Sequence, residues 1–298
     1  LNYAHGFWEE KRLLKKVLNA PDRYDYMDLA ISPPAEDELE SLGLYQATRG
    51  GTEAVVRETR VRRPKEMEAA ETAERLGSTR YVGGARDTGT GHIHPLKLVI
   101  GTAKVAAGAG AQLLEQTPST GIVSDGGKVT VTTPSGTISA DKCLVAVNAY
   151  GGRLEPVSAA HIMPIGSFIG ATVPLDAFPE VLPGNEAVDD SRFVVRYFRK
   201  SKDGRLLFGG REIYGVNDPK DIHIHIRRQI TELYPMLKDI EITHGWGGYV
   251  GITMPRRPFV REVMPNVISA GGYSGNGVML SNFIAKLYAK TIAGNDYV

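Results

Sequence analysis

Cysteine is almost absent from this chain of 298 residues, since Cys143 is the only one. One cysteine excludes an intrachain disulfide, and the scarcity favours a cytoplasmic location, where thiols stay reduced. Cys143 lies in the apolar run "CLVAV", whose surroundings predict burial and an inert thiol. The sequence therefore gives no support to disulfide stabilisation or to a cysteine nucleophile.

Long hydrophobic runs and a large net charge are missing as well. No apolar stretch approaches the roughly 20 residues that cross a bilayer, and the first residues do not have the pattern of a signal peptide. The formal net charge is +1, with 42% hydrophobic and 23% charged residues. This composition is typical of a soluble enzyme, and the small net charge gives no indication of nucleic acid or an anionic membrane as a partner.

Metal-ligand patterns are weak. His92 and His94 in "GHIHP", and His223 and His225 in "DIHIHI", alternate along the chain. Alternating histidines share one face of a strand, but neither pair has an obvious third ligand nearby. We therefore predict no metal site.

The remaining sequence predicts an ordered series of helices and strands. "FWEEKRLLKKVL" and "RPKEMEAAETAERLG" predict helices. "HPLKLVIGTAKVAAGAG" predicts a helix that ends near Gly108 or Gly110, and "AQLLEQT" predicts a short strand. "KVTVTTPSGTISADKCLVAV" predicts two alternating strands and then an apolar strand, as in the centre of a helix-covered sheet.

Residues from about 155 to 262 are rich in strands. "IMPIGSFIGATVPL", "SRFVVRYFR", "RLLFGGRE" and "WGGYVGIT" predict strands around one helical segment, "DIHIHIRRQITELYPML". "PNVISAGGYSGNGVMLSNFIAKLYAKTIAG" then predicts a strand, a glycine turn and a helix closed by Gly294.

The glycine turn "AGGYSGNGVML" is a candidate site for an anion or a dipole. The first amides of a helix have no intrahelical partner and carry partial positive charge, and glycines let a ligand approach them. The alternative is a tight packing turn. Tyr273 and Asn276 among the glycines, with an apolar stripe on the helix behind them, favour a turn that is anchored and aimed.

Four stretches, in this order, resemble the D-amino-acid-oxidase-like FAD-dependent oxidoreductases, and most closely the γ-glutamylputrescine oxidoreductase branch. They are "YVGGARDTGTGHIHPLKLVIGTAKVAAGAGAQLLEQT", "LVAVNAYGGRLEPV", "YFRKSKDGRLLFGGR" with "WGGYVGITMPRRP", and "GGYSGNGVMLSNFIAKLYAKTIAG". The resemblance covers about residues 80–298. Asn276 stands where that branch usually has histidine.

The resemblance implies an α/β fold with an α+β substrate domain, in which an incomplete Rossmann-like FAD-binding domain is interleaved with a mixed-sheet substrate domain. We expect residues 1–85 to be a helical and linker region, partly of the substrate domain, and 86–153 to be part of the FAD domain. We expect 154–262 to bind substrate and 263–298 to be the C-terminal FAD-binding strand, turn and helix. The family's G-x-G-x-x-G turn does not occur, so we expect the N-terminal dinucleotide-binding unit to be lacking.

The resemblance also implies where FAD lies. The strand end would run along the cofactor, although an ordinary strand-to-loop corner is the alternative. The turn would place free amides, from Ser274 to Val278, near the flavin ring, where negative charge develops on reduction. Ser119 would make the adenine-side contact, where the family usually has valine. The implied cofactor-binding residues are Ser119, Asn148, Ala149, Tyr150, Gly151, Gly272, Tyr273, Ser274, Gly275, Asn276, Gly277 and Val278.

Tyr197, Arg199 and Trp246 are the candidate catalytic residues. Tyr197 and Arg199 alternate on one strand and would present a phenol and a guanidinium to a carboxylate-bearing amine. A solvated edge strand is the alternative there, and a core aromatic is the alternative for Trp246.

These residues predict FAD-dependent oxidation of an amine or amino acid similar to γ-glutamylputrescine. The carbon bearing the nitrogen gives a hydride to flavin N5, the imine is hydrolysed, and oxygen reoxidises the flavin. Two alternatives stay open: a flavin dehydrogenase with a quinone acceptor, and a truncated, FAD-free module that only binds. The sequence leaves the identity of the amine and the oligomeric state open.

Overall fold

The computed structural model describes residues 65–87, 91–152, 154–184, 186–191, 195–210, 213–214 and 221–294. The segment "FWEEKRLLKKVL" lies outside these residues. The helices are α1 Ala69–Leu76, α2 Pro95–Gly108, α3 Pro156–Ala159, α4 Ile222–Leu233 and α5 Gly277–Ile292. The strands are β1 Lys65–Glu68, β2 Gly83–Arg86, β3 Gly121–Ser124, β4 Val129–Thr133, β5 Gly136–Ala140, β6 Cys143–Val145, β7 Met163–Pro174, β8 Val188–Asp189, β9 Tyr197–Lys200, β10 Arg205–Gly209, β11 Ile213–Tyr214, β12 Ile242–Ile252, β13 Phe259–Met264 and β14 Val267–Gly271.

The largest sheet is built on the long strand β7. One edge of β7 pairs antiparallel with β12 over almost its whole length. The other edge pairs with β10 and β11, and β9 and then β8 extend the sheet beyond β10. These strands, together with helix α4, match the strand-rich region that the sequence predicts.

A second sheet joins two segments that are far apart in the sequence. Strand β14 pairs parallel with β6, so that Val267 lies opposite Cys143, and antiparallel with β13. In the described part of the chain β6 pairs only with β14, so it lies at an edge and not in the centre of a sheet. The Cys143 thiol is partly buried, which raises its pKa. Strands β3, β4 and β5 form a separate antiparallel meander.

Two local predictions are wrong. "KEME" is strand β1 rather than the first turn of a helix, because it pairs with β2 and the helix begins only at Ala69. "AQLLEQT" contains no strand, and Leu113 and Leu114 in it are exposed. Neighbouring chain segments decide both cases, and a local pattern does not contain that information.

Helices α2, α4 and α5 agree with the sequence. Helix α2 begins at Pro95, which suits the first helical position, and ends at Gly108. Most of its residues are apolar yet none is buried, and Leu96, Val99 and Val105 are all more than half exposed. Helix α5 is followed by Gly294 at φ +78°, the left-handed conformation that commonly ends a helix. Within the described ranges, no helix combines the length and the apolar character needed to cross a membrane.

The main core lies between α4 and the large sheet. The rings of Phe198 and Phe208 stack with centroids 5.2 Å apart, and the ring of Tyr234 meets Phe198 edge-on. Ile226 and Ile230 of α4 are fully buried in the same cluster. These contacts fix β9 and β10 against the helix, and β9 carries two of the candidate catalytic residues.

Replacement of the buried Phe208 by alanine tests this core. We expect Phe208→Ala to lower the free energy of unfolding by about 3–5 kcal/mol, since it removes a stacked ring and leaves a cavity. Val123, which is 65% exposed, provides the control, and Val123→Ala should change stability by less than about 0.5 kcal/mol. Urea unfolding followed by circular dichroism measures both; equal midpoints for the two variants would contradict this assignment of the core.

Candidate active site

The two segments that the sequence assigns to the cofactor meet at Asn148. The strands β6 and β14 are parallel, so their carboxyl ends lie at the same edge of the sheet, where ligands commonly bind. Asn148 follows β6 in a short 3-10 turn with φ +48°. Its side-chain Oδ1 accepts a hydrogen bond of 2.8 Å from the backbone amide of Gly272, just after β14. One side chain thus ties the two predicted segments together.

Glycines surround Asn148 because there is no room for a Cβ. A Cβ at Gly251 would lie 2.2 Å from Asn148 Oδ1, and one at Gly271 would lie 3.0 Å from Asn148 Cα. A Cβ at Gly272 would lie 2.4 Å from the Thr253 side chain. Three chain segments therefore approach one another closely at this point, and glycine is the residue that permits it.

The turn after β14 is held from behind and open in front. Tyr273 is buried beside Leu280 and Ile284 of α5, and burial raises the pKa of its phenol. At Gly275 the backbone has φ +101°, and a Cβ there would meet nothing within 4 Å. Tyr273 thus anchors the turn, while the backbone around Gly275 faces open space.

The prediction of free amides from Ser274 to Val278 needs a correction. The Ser274 amide donates to Gly251 O at 2.9 Å and the Asn276 amide to Tyr273 O at 3.0 Å, so neither is free. Within the described chain, the amides of Gly275, Gly277 and Val278 make no hydrogen bond. The side chain of Asn276 does not cap α5. The unbonded amides are therefore fewer than predicted, and they lie at the positive end of a 16-residue helix.

Strand β12 connects this turn to the corner after β6. The Tyr249 amide of β12 donates a hydrogen bond of 2.8 Å to the hydroxyl of Tyr150, and the two rings lie 5.6 Å apart. Two residues further on, Gly251 O receives the Ser274 amide. Ala149 and Gly151 flank Tyr150 in the same corner. The corner, the glycine turn and β12 thus form one hydrogen-bonded unit.

Tyr197, Arg199 and Trp246 line a single cavity of about 850 Å³. The Tyr197 hydroxyl is 2.7 Å from Ser167 Oγ on β7. Arg199 donates to Ile93 O at 3.1 Å, and its Nη1 lies 3.4 Å from His92 Nδ1. The structure therefore brings the three candidate catalytic residues together, with an aromatic ring, a phenol and a guanidinium around one space.

Other residues of the predicted set have different places. Ser119 is exposed in the loop between α2 and β3. Arg196, next to Tyr197, is buried and pairs with Glu232 of α4, so it supports the fold. His94 accepts from the Lys97 amide at 3.5 Å at the start of α2. Among the described residues there is no cluster of metal-binding side chains, and the absence of a metal stays a prediction.

Two contributors to the cavity do not follow from the sequence. His92 lies in its wall, 107 positions before the Arg199 that it contacts. Ser167 positions Tyr197 across two strands. The sequence draws attention to His92 only through the "GHIHP" pattern, and it draws none to Ser167. The contact between Ser167 and Tyr197 depends on which strands are neighbours in the sheet.

Comparison with known proteins identifies the class. A family model described as "FAD dependent oxidoreductase" matches residues 11–291, and the chain belongs to this family. The turn fits such a cofactor, because its glycines and unbonded amides can receive the electron-rich edge of a flavin ring.

Three similar proteins place the chain within the family. It is 64% identical over 230 residues to "Probable oxidoreductase OrdL" of Rhizobium meliloti (strain 1021), a match that covers 77% of this chain and 54% of the relative. It is 33% identical over 232 residues to "Gamma-glutamylputrescine oxidoreductase" of Escherichia coli (strain K12), which covers 77% of this chain and 54% of that protein. The match to the glycine oxidase structure from Geobacillus kaustophilus has a TM-score of 0.68 at 22% identity, with 88% of this chain and 69% of that chain covered. The chain thus has the fold of these flavoproteins and spans about half the length of the two relatives.

Loss of the Asn148 side chain tests the connection between the two segments. We expect Asn148→Ala to weaken FAD binding about tenfold, because the Gly272 amide loses its acceptor and alanine tolerates a positive φ less well than asparagine. Titration of FAD into apoprotein, followed by flavin fluorescence, gives the dissociation constants. Asn266 also has a positive φ, +63°, in a distant turn, so Asn266→Ala is the matched control. Equal affinities in the two variants would remove Asn148 from the site.

A side chain at Gly275 tests whether the open space holds the cofactor. We expect Gly275→Val to abolish flavin absorbance in the purified protein, since the side chain would occupy the space beside the unbonded amides. Gly126→Val is the control, because Gly126 also has a positive φ, +90°, with nothing within 4 Å of a built Cβ. Both variants have the same kind of backbone strain, so normal flavin content in Gly275→Val would separate the turn from the cofactor.

Proposed function

We propose that this chain is the part of an FAD-dependent amine oxidase that binds substrate and one edge of the flavin. The observation that carries the proposal is strand β12. Trp246 of this strand lines the cavity, Tyr249 contacts Tyr150, and Gly251 holds the glycine turn. Trp246 and Gly251 are about 17 Å apart along an extended strand, so one strand connects the substrate side to the cofactor side.

The chemistry divides between cofactor and protein. FAD, when bound, supplies the acceptor for the hydride that leaves the carbon bearing the amine nitrogen. The unbonded amides of Gly275, Gly277 and Val278 provide positive potential where negative charge accumulates. The proposal assigns the substrate to the cavity, with Trp246 as a wall and with Tyr197 and Arg199 as its polar side.

Arg199 has two tasks in this proposal. Its hydrogen bond to Ile93 O holds the loop that carries His92, which keeps the wall of the cavity in place. The guanidinium also presents positive charge to the polar part of an amine substrate. Tyr197, held by Ser167, presents its phenol beside it.

The preferred substrate class is an amine similar to γ-glutamylputrescine. The relative from Escherichia coli bears that substrate in its name, and the cavity has the mixed aromatic and polar lining that an aliphatic amine with polar groups requires. Water hydrolyses the imine, and with oxygen as acceptor a primary amine gives an aldehyde, ammonia and hydrogen peroxide.

The test of this function is flavin reduction by a panel of amines. Flavin-loaded protein mixed anaerobically with γ-glutamylputrescine, putrescine, sarcosine and glycine should lose its visible absorbance with at least one of them. Under air the same amine should release hydrogen peroxide. Bleaching without peroxide indicates a dehydrogenase that uses another acceptor. A protein that takes up FAD but is reduced by no amine contradicts the proposal.

Arg199 provides a more specific test. We expect Arg199→Gln to lower kcat/KM at least about tenfold for every amine that reduces the flavin, since both its charge and its hydrogen bonds to the loop are lost. Stopped-flow measurement of flavin reduction gives the rates. The exposed Arg228 on α4 serves as control, and equal rates in Arg199→Gln and Arg228→Gln would exclude Arg199 from the site.

A further inference from the structure

A second cavity adjoins the one that holds Trp246. It has a volume of about 390 Å³, and its lining shares His92, Ala187 and Val188 with the larger cavity. The two cavities therefore adjoin at these three residues. The proposed function uses only the larger cavity.

The smaller cavity contains charges of both signs. Arg75, Arg86 and Glu186 line it, together with Asp87 and Asp189. A cavity for an aliphatic chain alone would not have this composition, because buried charges are costly without partners. The set fits a ligand group that itself has both a positive and a negative charge.

The two arginines of this cavity differ in the hydrogen bonds that they make within the protein. Arg75 donates to Glu71 at 3.2 Å and to Glu186 Oε1 at 3.1 Å. The Nε of Arg86 is 3.9 Å from the same Glu186 oxygen, which is too long for a hydrogen bond. Within the described residues, Glu186 Oε2 is buried and has no hydrogen-bond partner. Arg86, whose side chain is 39% exposed, is therefore the donor set that a ligand can use, and Glu186 adds negative charge beside it.

We propose that the smaller cavity binds an α-amino acid group at the far end of an elongated amine substrate. Arg86 binds the carboxylate, for which the planar guanidinium offers two parallel N–H donors. The carboxylates of Glu186, Asp87 and Asp189 place negative charge near the ammonium group. The inference rests on the proposed function, which places the reacting amine in the larger cavity. The substrate class is then an aliphatic amine linked through an amide to a zwitterionic head, and Arg86 is its specificity determinant.

This arrangement also explains selectivity against simple amines. A diamine without the head group brings a second positive charge toward Arg86 and offers it no carboxylate. N-Acetylputrescine has the same reacting amine and amide as γ-glutamylputrescine but no amino acid group. The two compounds therefore form a matched pair of probes for the smaller cavity.

Binding measurements without turnover test the proposal. Calorimetric titration of the purified protein should give at least about tenfold weaker binding of γ-glutamylputrescine in Arg86→Gln than in the unmodified chain, as expected for loss of charged hydrogen bonds. Affinity for N-acetylputrescine should change by less than about twofold. Arg86→Lys should recover part of the loss, since it keeps the charge but not the paired donors. Arg228→Gln, outside both cavities, should bind both probes as the unmodified chain does.

The outcomes separate this inference from the proposed function. Equal loss for both probes, equal affinity in all variants, or no binding of γ-glutamylputrescine to the unmodified chain would each overturn the assignment of the head group. Thermal melting of each variant shows whether a loss reflects unfolding. Because calorimetry needs no flavin reduction, absence of oxidation with intact, Arg86-dependent binding would contradict the proposed function and leave the head-group site supported.

Discussion

The hydrogen bond from the Gly272 amide to Asn148 Oδ1 is the interaction on which the candidate site depends. It joins the ends of two parallel strands that are more than a hundred positions apart in the sequence. It also dictates the composition around it, because Gly251 and Gly271 pack against Asn148 at distances that exclude a Cβ. The left-handed backbone of Asn148 suits asparagine better than most residues. Close packing that excludes a Cβ, rather than chain flexibility, explains the glycines around Asn148.

Strand β12 connects this packed corner to the larger cavity. Its pairing with β7 fixes it in the large sheet, and the contact between Tyr249 and Tyr150 fixes it to the corner after β6. The cavity wall at Trp246 therefore has a defined position relative to the glycine turn. On the opposite side of β7, the core of α4 holds β9, which carries Tyr197 and Arg199. Strands β9 and β12 thus contribute the three candidate catalytic residues to the cavity.

The sequence predicts the elements whose signals are local. The strand, glycine turn and helix from Val267 to Gly294 follow from periodicity and turn residues, and the family resemblance agrees with the family match. Contacts between distant segments are different. No local sequence pattern shows that "KEME" pairs with β2 or that His92 lies beside Arg199. The same holds for the hydrogen bond that the Ser274 amide donates to Gly251 O. Each depends on tertiary arrangement, which is why the residue types were predictable and their partners were not.

Strand β7 separates two parts of the molecule that can change at different rates. Along one edge it pairs with β12, where close contacts of glycines leave little freedom for substitution. Beyond the other edge lie β9 and then β8. Ala187 and Val188, at the start of β8, line both cavities. Substitutions there would reshape both cavities without disturbing the turn after β14. Under the proposed function, a protein lineage with this plan can change its substrate by substitutions beyond that edge of β7 and keep the glycine contacts around its cofactor site.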